Sequence, residues 1–148
     1  MMMERKEILT QIKPYFDIEE LVCEHVLAKF GKSAWDFLDT NFLHCLLIIR
    51  RDILKKPMWC NGNNAKQRGL RCNLCQLVKE KKVPYITAHL QGKAGDFTVQ
   101  GMTAENARKL ILQNADMLPC KIRLESGVNW LHFDVRDSGN EKVVFFKG

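Results

Sequence analysis

No apolar run in this sequence is longer than five residues. The longest, Cys45 to Ile49, falls far short of the about 20 residues that a membrane-crossing helix requires. The start, Met1-Met2-Met3-Glu4-Arg5-Lys6, passes straight into a mixed polar segment. It lacks the apolar stretch and small-residue cleavage site of a secretory signal, so synthesis is expected to end in the cytoplasm. Internal repeats, low-complexity tracts and Pro/Gly-rich linkers are missing too, which leaves a single domain over residues 1–148.

What is present fits an ordinary globular chain. At 148 residues, folding can bury roughly 68 to 70% of the unfolded surface, so no covalent staple is required. An apolar share of 46% beside 27% charged residues excludes disordered and collagen-like classes. The net charge of +6 would concentrate an anionic partner, either nucleic acid or an acidic polymer such as a cell wall. Lys and Arg are spread along the chain, however, and the densest cluster, Lys79 to Lys82, reads as a solvated helix end.

Six cysteines, at 23, 45, 60, 72, 75 and 120, in a chain without a secretion signal are expected to be free thiols. Cys23 and Cys45 fall on apolar helix faces and read as core. Cys72-Asn73-Leu74-Cys75 has the spacing of a zinc ribbon or a redox pair, but a second such pair is missing. Cys60 and Cys120 are the candidates to complete a set; otherwise these are reduced packing residues or a disulfide.

The element pattern predicts an α+β fold, helices first and antiparallel sheet later. Lys6 to Tyr15 forms a short helix broken at Pro14. Asp17-Ile18-Glu19-Glu20 has the capping-box form and opens a helix that stops at Gly31. Ser33 caps the next, in which Trp35, Leu38, Phe42, Cys45, Leu46 and Ile49 recur at helical spacing up to Pro57. Short elements follow: a strand at Pro57-Met58-Trp59-Cys60, a turn at Asn61-Gly62-Asn63-Asn64, a helix over Asn73 to Lys82, a strand over Ala94 to Val99, and a helix over Thr103 to Asn114 capped by Thr103. Three strands close the chain, Cys120 to Glu125, Val128 to Val135 and Lys142 to Phe146, with turns at Ser126-Gly127 and Asp137 to Asn140.

The sharpest chemical feature is Thr87-Ala88-His89-Leu90-Gln91-Gly92-Lys93-Ala94-Gly95-Asp96. His89 and Asp96 can converge if the chain folds back between them, with Gly92 and Gly95 supplying backbone freedom. Imidazole and carboxylate together suit zinc, and a catalytic zinc takes a third protein ligand while keeping one open position. Trp130-Leu131-His132-Phe133-Asp134 offers that ligand as His132. A histidine taken alone is more often a hydrogen-bonded residue than a ligand, and His25 and His44 keep that reading.

The run Thr-x-His-x-x-Gly-x-Ala-x-Asp followed by Trp-x-His-x-Asp resembles the zinc D-Ala-D-Ala carboxypeptidase family, which includes phage endolysin peptidases and vancomycin-resistance dipeptidases. Gly69-Leu70-Arg71 followed by Asn73 is similar to that family's Gly-Tyr-Arg segment. Phe16 to Glu20, Phe30-Gly31 and Arg50 to Pro57 fit its phage-type branch, so the likeness covers nearly the whole chain. The resemblance implies a hedgehog/DD-peptidase-like fold, Zn2+ held by His89, Asp96 and His132, and hydrolysis of amide bonds in peptidoglycan stem peptides. It also implies phage or prophage origin, with a signal-less protein reaching the wall after release by a partner such as a holin. Neither nucleic acid nor a membrane is an expected partner.

Three further residues carry expected roles. By resemblance, Arg71 stabilises the oxyanion of the tetrahedral intermediate; the plainer alternative is a surface salt bridge. Many family members have a carboxylate three residues before the second histidine. This chain has Asn129 there, and an amide cannot accept a proton. Glu125 is the nearest upstream carboxylate. A two-residue turn at Ser126-Gly127 would pair it with Val128, about 13 Å from His132 at ~3.3 Å per residue, so reaching the metal requires a bulge or a wider loop. Asp134 lies on the face of His132 and can orient an imidazole or act as the base, the former being preferred.

Two other functions fit parts of the pattern. One is an inactive zinc-containing wall-binding or structural domain of the same fold, which Asn129 favours. The other is a basic Cys-x-x-Cys nucleic-acid binder with salt-sensitive affinity, which leaves the His/Asp pattern unexplained.

Overall fold

The computed structural model describes residues 3–60 and 67–148; the turn expected at Asn61 to Asn64 lies outside them. Among the described residues the chain is α+β, as expected, with six α-helices and a five-stranded sheet. No helix among them is long and apolar enough to cross a membrane.

The helical half is more broken than the apolar pattern implies, and each break has a cause. Helix α1 (Arg5–Ile12) turns its buried Ile8 and Ile12 to the core. At the expected capping box, the Glu20 carboxylate accepts the Asp17 N–H at 3.2 Å. The helix it opens does not run to Gly31. It divides into α2 (Ile18–Leu21) and α3 (Glu24–Phe30), because the backbone at Leu21 to Cys23 pairs elsewhere. Leu21 O accepts from Leu70 N–H and Cys23 N–H donates to Leu70 O, both at 2.9 Å.

Ser33 does not open the next helix either. A 3-10 helix, Gly31–Phe37, ends where the Arg5 guanidinium takes the carbonyls of Trp35 and Leu38 at 2.7 and 2.8 Å. Asp39 then caps α4 (Thr40–Ile48) by accepting the Phe42 N–H at 3.0 Å. The helix runs on as a π-helical stretch, Ile49–Leu54. The apolar positions read from the sequence, Trp35, Leu38, Phe42, Cys45, Leu46 and Ile49, are all buried. The helix expected over Asn73 to Lys82 shrinks to α5 (Gln76–Lys79), which buries nothing.

The strands are β1 (Met58–Trp59), β2 (Ala94–Val99), β3 (Ile122–Glu125), β4 (Leu131–Asp134) and β5 (Val143–Phe146), in the order β1-β2-β4-β3-β5. The sheet is mixed rather than antiparallel throughout, since β5 lies parallel to β3. Both edges of β4 are taken, by β2 and β3, so the chain after β4 reverses and adds at the far side of β3. Helix α6 (Ala104–Gln113) is capped by Thr103 as expected, through Asn106 N–H at 3.1 Å.

The period-2 alternation of strands separates two faces. Phe97, Phe133, Leu124 and Leu131 belong to the apolar core, where Phe133 stacks on Phe42 and Phe97 at centroid distances of 5.0 and 5.8 Å. Asp96 and His132 are direct partners across β2 and β4 and project to the other face.

The connection from β3 to β4 is not a two-residue hairpin. Arg123 faces Asp134 and Leu124 faces Phe133, and one further step sets Glu125 opposite His132. The intervening loop is wide because it wraps a buried guanidinium: Arg108 of α6 donates to the carbonyls of Glu125, Val128 and Trp130 at 3.1–3.3 Å. Replacing Arg108 with Met leaves those carbonyls without their donor, and hydrogen bonds to charged groups each contribute about 1.5–3 kcal/mol. Arg108→Met is expected to lower unfolding stability in urea by about 2–4 kcal/mol; an unchanged midpoint would contradict this role.

Candidate metal centre

The sheet supplies two of the three expected ligands and a turn supplies the third. Asp96 and His132 sit side by side on β2 and β4, with His132 Nδ1 2.6 Å from Asp96 Oδ1. His89 lies in the turn before β2, and its Nε2 is 3.5 Å from Asp96 Oδ2. All three side chains are buried, and their ligand atoms lie within 4.8 Å of one another.

The turn closes by the fold-back read from the sequence. Gly92 has φ +69, and a Cβ there would stand 2.1 Å from the Phe37 carbonyl oxygen. Gly95 serves differently from the expectation: no positive φ occurs there, and a Cβ would strike the Phe97 ring. It is small to admit the core, not to bend the chain.

His89 has one ring nitrogen committed outside the cluster, and His132 has both nitrogens engaged, which orients the two rings. His89 Nδ1–H donates to the Gly69 carbonyl at 2.9 Å, so Nε2 is turned toward Asp96. His132 Nε2–H donates to Asp134 Oδ2 at 2.8 Å, so Nδ1 is turned toward Asp96. Asp134 is fully buried and is gripped in turn by Arg123, Nε to Oδ1 at 2.8 Å and Nη2 to Oδ2 at 2.9 Å. Both of its oxygens are engaged. Of the two roles considered for Asp134, the geometry matches imidazole orientation rather than proton acceptance.

Charge pairing dominates burial at this cluster. Burial opposes ionisation of Asp96, but its bonds to His132 and His89 hold the carboxyl well below the usual carboxylate range. Burial also opposes the imidazolium of His132, but Asp134 and Asp96 hold its proton up to about 9. Asp134 is likewise lowered against burial by His132 and Arg123. A divalent cation would supply the same positive charge between the same groups. The 3.5 Å spacing of His89 and Asp96 is close to the about 3.3 Å between ligands of a tetrahedral ion with 2.0–2.1 Å bonds. The residues therefore fit a metal of the nitrogen- and oxygen-binding kind.

Arg71 and Glu125 flank the cluster. Arg71 Nη2 stands 3.8 Å from Asp96 Oδ2 with the side chain 11% exposed, so it is not a surface salt bridge. Its Nε–H donates to the Gln67 carbonyl at 2.6 Å, which fixes the guanidinium. Glu125 Oε2 lies 4.0 Å from His132 Nδ1, brought there by the wide β3–β4 loop. Asn129, in that loop, instead lines a cleft of about 400 Å³ beside Arg108 and Met102.

A second group of ligand atoms was not foreseen. Cys23, His25, Cys72 and Cys75 also lie within 4.8 Å of one another. Cys23 is buried as expected, and both it and His25 stand where they could share an ion with the Cys-x-x-Cys. Neither Cys60 nor Cys120 completes the Cys-x-x-Cys. Cys60 is fully buried elsewhere, and Cys120 Sγ contacts Cys45 Sγ at 3.2 Å. The signal that could have found the set is the Cys23-x-His25 pair, a two-ligand unit complementary to Cys72-x-x-Cys75.

The sequence matches no family model, and no curated protein or solved structure matches it either. Function is thus read from the site itself.

Partners that orient a metal-binding imidazole typically change affinity 10- to 100-fold when removed. Asp134→Asn is expected to weaken divalent-metal binding by about that factor while leaving all three ligands in place, as measured by competition with a chromogenic chelator. Equal affinity in the variant and the parent would show that Asp134 does not orient the site.

Proposed function

We propose that this chain is a zinc-dependent peptidase that hydrolyses amide bonds in peptidoglycan stem peptides, of the D-Ala-D-Ala or the L-Ala-D-Glu type. The observation that carries the reading is the convergence of His89, Asp96 and His132 with Arg71 on one side and Glu125 on the other. When bound there, zinc supplies a Lewis acid toward a substrate carbonyl and acidifies a water to a pKa of about 7.

The chain's own residues supply the rest. Arg71, anchored through Gln67, donates its Nη2–H to the scissile carbonyl oxygen as negative charge develops on it. In a site closed to water such a donor stabilises the transition state more than the ground state. Glu125 takes the proton of the attacking water on Oε2 and returns it to the leaving amine as the C–N bond breaks, so one carboxylate serves as base and then as acid. Asp134 and Arg123 hold His132 in its tautomer and take no part in proton transfer. Gly69 does the same for His89 through its carbonyl. The carboxylate that the family resemblance expects at position 129 is thereby replaced from the neighbouring strand, which weakens the case for an inactive domain.

Purified peptidoglycan digested with zinc-loaded protein is expected to yield new peptide termini by mass spectrometry, and chelator-treated protein none. Glu125→Gln should retain its metal and lose about 10²- to 10⁴-fold in kcat/KM. Arg71→Met should lose about 10²- to 10³-fold. If fully zinc-loaded protein releases no termini, the enzyme reading falls, and a metal-containing wall-binding domain takes its place.

A further inference from the structure

We infer that Cys23, His25, Cys72 and Cys75 hold a second zinc ion, a closed structural site that clamps the Arg71-bearing segment against the α2–α3 break. Three thiolates and one imidazole are the donor set of a structural zinc, four-coordinate with no position left for substrate. Soft sulfur donors also set this site apart from the nitrogen- and oxygen-lined cluster on the sheet.

The local geometry is that of a metal-binding knuckle. His25 Nδ1 faces both Cys72 Sγ and Cys75 Sγ, at 3.7 and 3.8 Å. The chain turns tightly from Cys72 to Cys75, with Cys75 N–H donating to Cys72 O at 3.1 Å. Backbone donors point at the sulfurs: Cys72 N–H to Cys75 Sγ and Leu74 N–H to Cys72 Sγ, each at 3.4 Å. Such donors stabilise thiolates, the form a metal takes.

The surroundings show why a clamp is needed there. Between positions 76 and 87 no residue is buried, and Leu77, Val83 and Ile86 are 48%, 69% and 72% exposed. Apolar burial therefore holds this segment weakly, and cross-linking two segments 47 or more positions apart restrains it instead. Leu70 lies in a parallel bridge with Val22, and Gly69 passes so close that a Cβ would stand 2.2 Å from the Leu21 carbonyl oxygen.

The consequence reaches the first site. Gly69 O holds His89, and Arg71 lies next to Cys72, so a zinc at the knuckle fixes two groups that the sheet does not carry. Only this coupling rests on the peptidase reading; the metal site itself does not.

The protein purified with zinc is expected to contain two ions per chain by elemental analysis. Cys72→Ser should reduce this to one and His89→Ala likewise, each removing a different ion. X-ray absorption at the zinc edge separates them. In His89→Ala the remaining zinc should show sulfur neighbours at about 2.3 Å, and in Cys72→Ser only nitrogen and oxygen. His25→Cys, which keeps four ligands, should retain both ions. If Cys72→Ser fails to fold, the spectrum of the unmodified protein decides alone, since zinc–sulfur scattering must appear in it. A spectrum without sulfur neighbours overturns the proposal whether or not peptidoglycan is cleaved, whereas a single ion with sulfur neighbours supports the knuckle and counts against the sheet-borne site alone.

Discussion

Asp96 faces His132 across two antiparallel strands, and the remaining features of the sheet-borne cluster depend on that register. In a strand, neighbouring residues point to opposite faces, so a slip of one position would send both ligands into the core. The core prevents it. Phe97 and Phe133 are the immediate neighbours of the two ligands; their rings stack on each other, and that of Phe133 stacks also on Phe42. Apolar packing on one face of the sheet thus fixes polar geometry on the other.

From that pair the cluster grows outward by committed hydrogen bonds. Arg123 grips Asp134, Asp134 holds one nitrogen of His132, and the other nitrogen meets Asp96. The chain of alternating charge explains how a buried carboxylate stays ionised. The opposite side of the cluster is built differently. His89 and Arg71 come from turns, and their positions derive from the strip Gln67 to Cys72, which is threaded between the α2–α3 break and the sheet. Rigid sheet and restrained loop therefore meet at the cluster.

Much of this was legible in the sequence. His89 and Asp96 stood out because imidazole and carboxylate flank a glycine-bearing fold-back, and His132 joined them because the motifs around all three resemble a known zinc-peptidase pattern. The α+β class followed from the change of period near Pro57, and strand β2 and helix α6 fell where periodicity set them. What was missed depends on contacts between distant segments. Helix α2 stops because Leu70, far along the chain, pairs with Leu21 and Cys23. The 3-10 segment before α4 ends on Arg5. The residues beside the Cys-x-x-Cys are Cys23 and His25, whose Cys-x-His spacing was the one available hint, but only the Leu21 to Cys23 pairing with Leu70 brings them there in place of Cys60 and Cys120. The position of Glu125 is the clearest case. A turn at Ser126-Gly127 is locally reasonable, and only the guanidinium of Arg108, reaching across from α6, explains the wider loop that sets the carboxylate beside His132.

On the reading proposed above, three side chains distant in sequence share one divalent cation on the sheet. A crystal structure of the zinc-loaded protein, with anomalous data above and below the zinc edge, tests it directly. The expected result is an anomalous peak bonded to His89 Nε2, an Asp96 carboxylate oxygen and His132 Nδ1, with Glu125 and Arg71 on either side of the open position. Anomalous density confined to the cysteine knuckle, with His132 still bonded directly to Asp96, would contradict it.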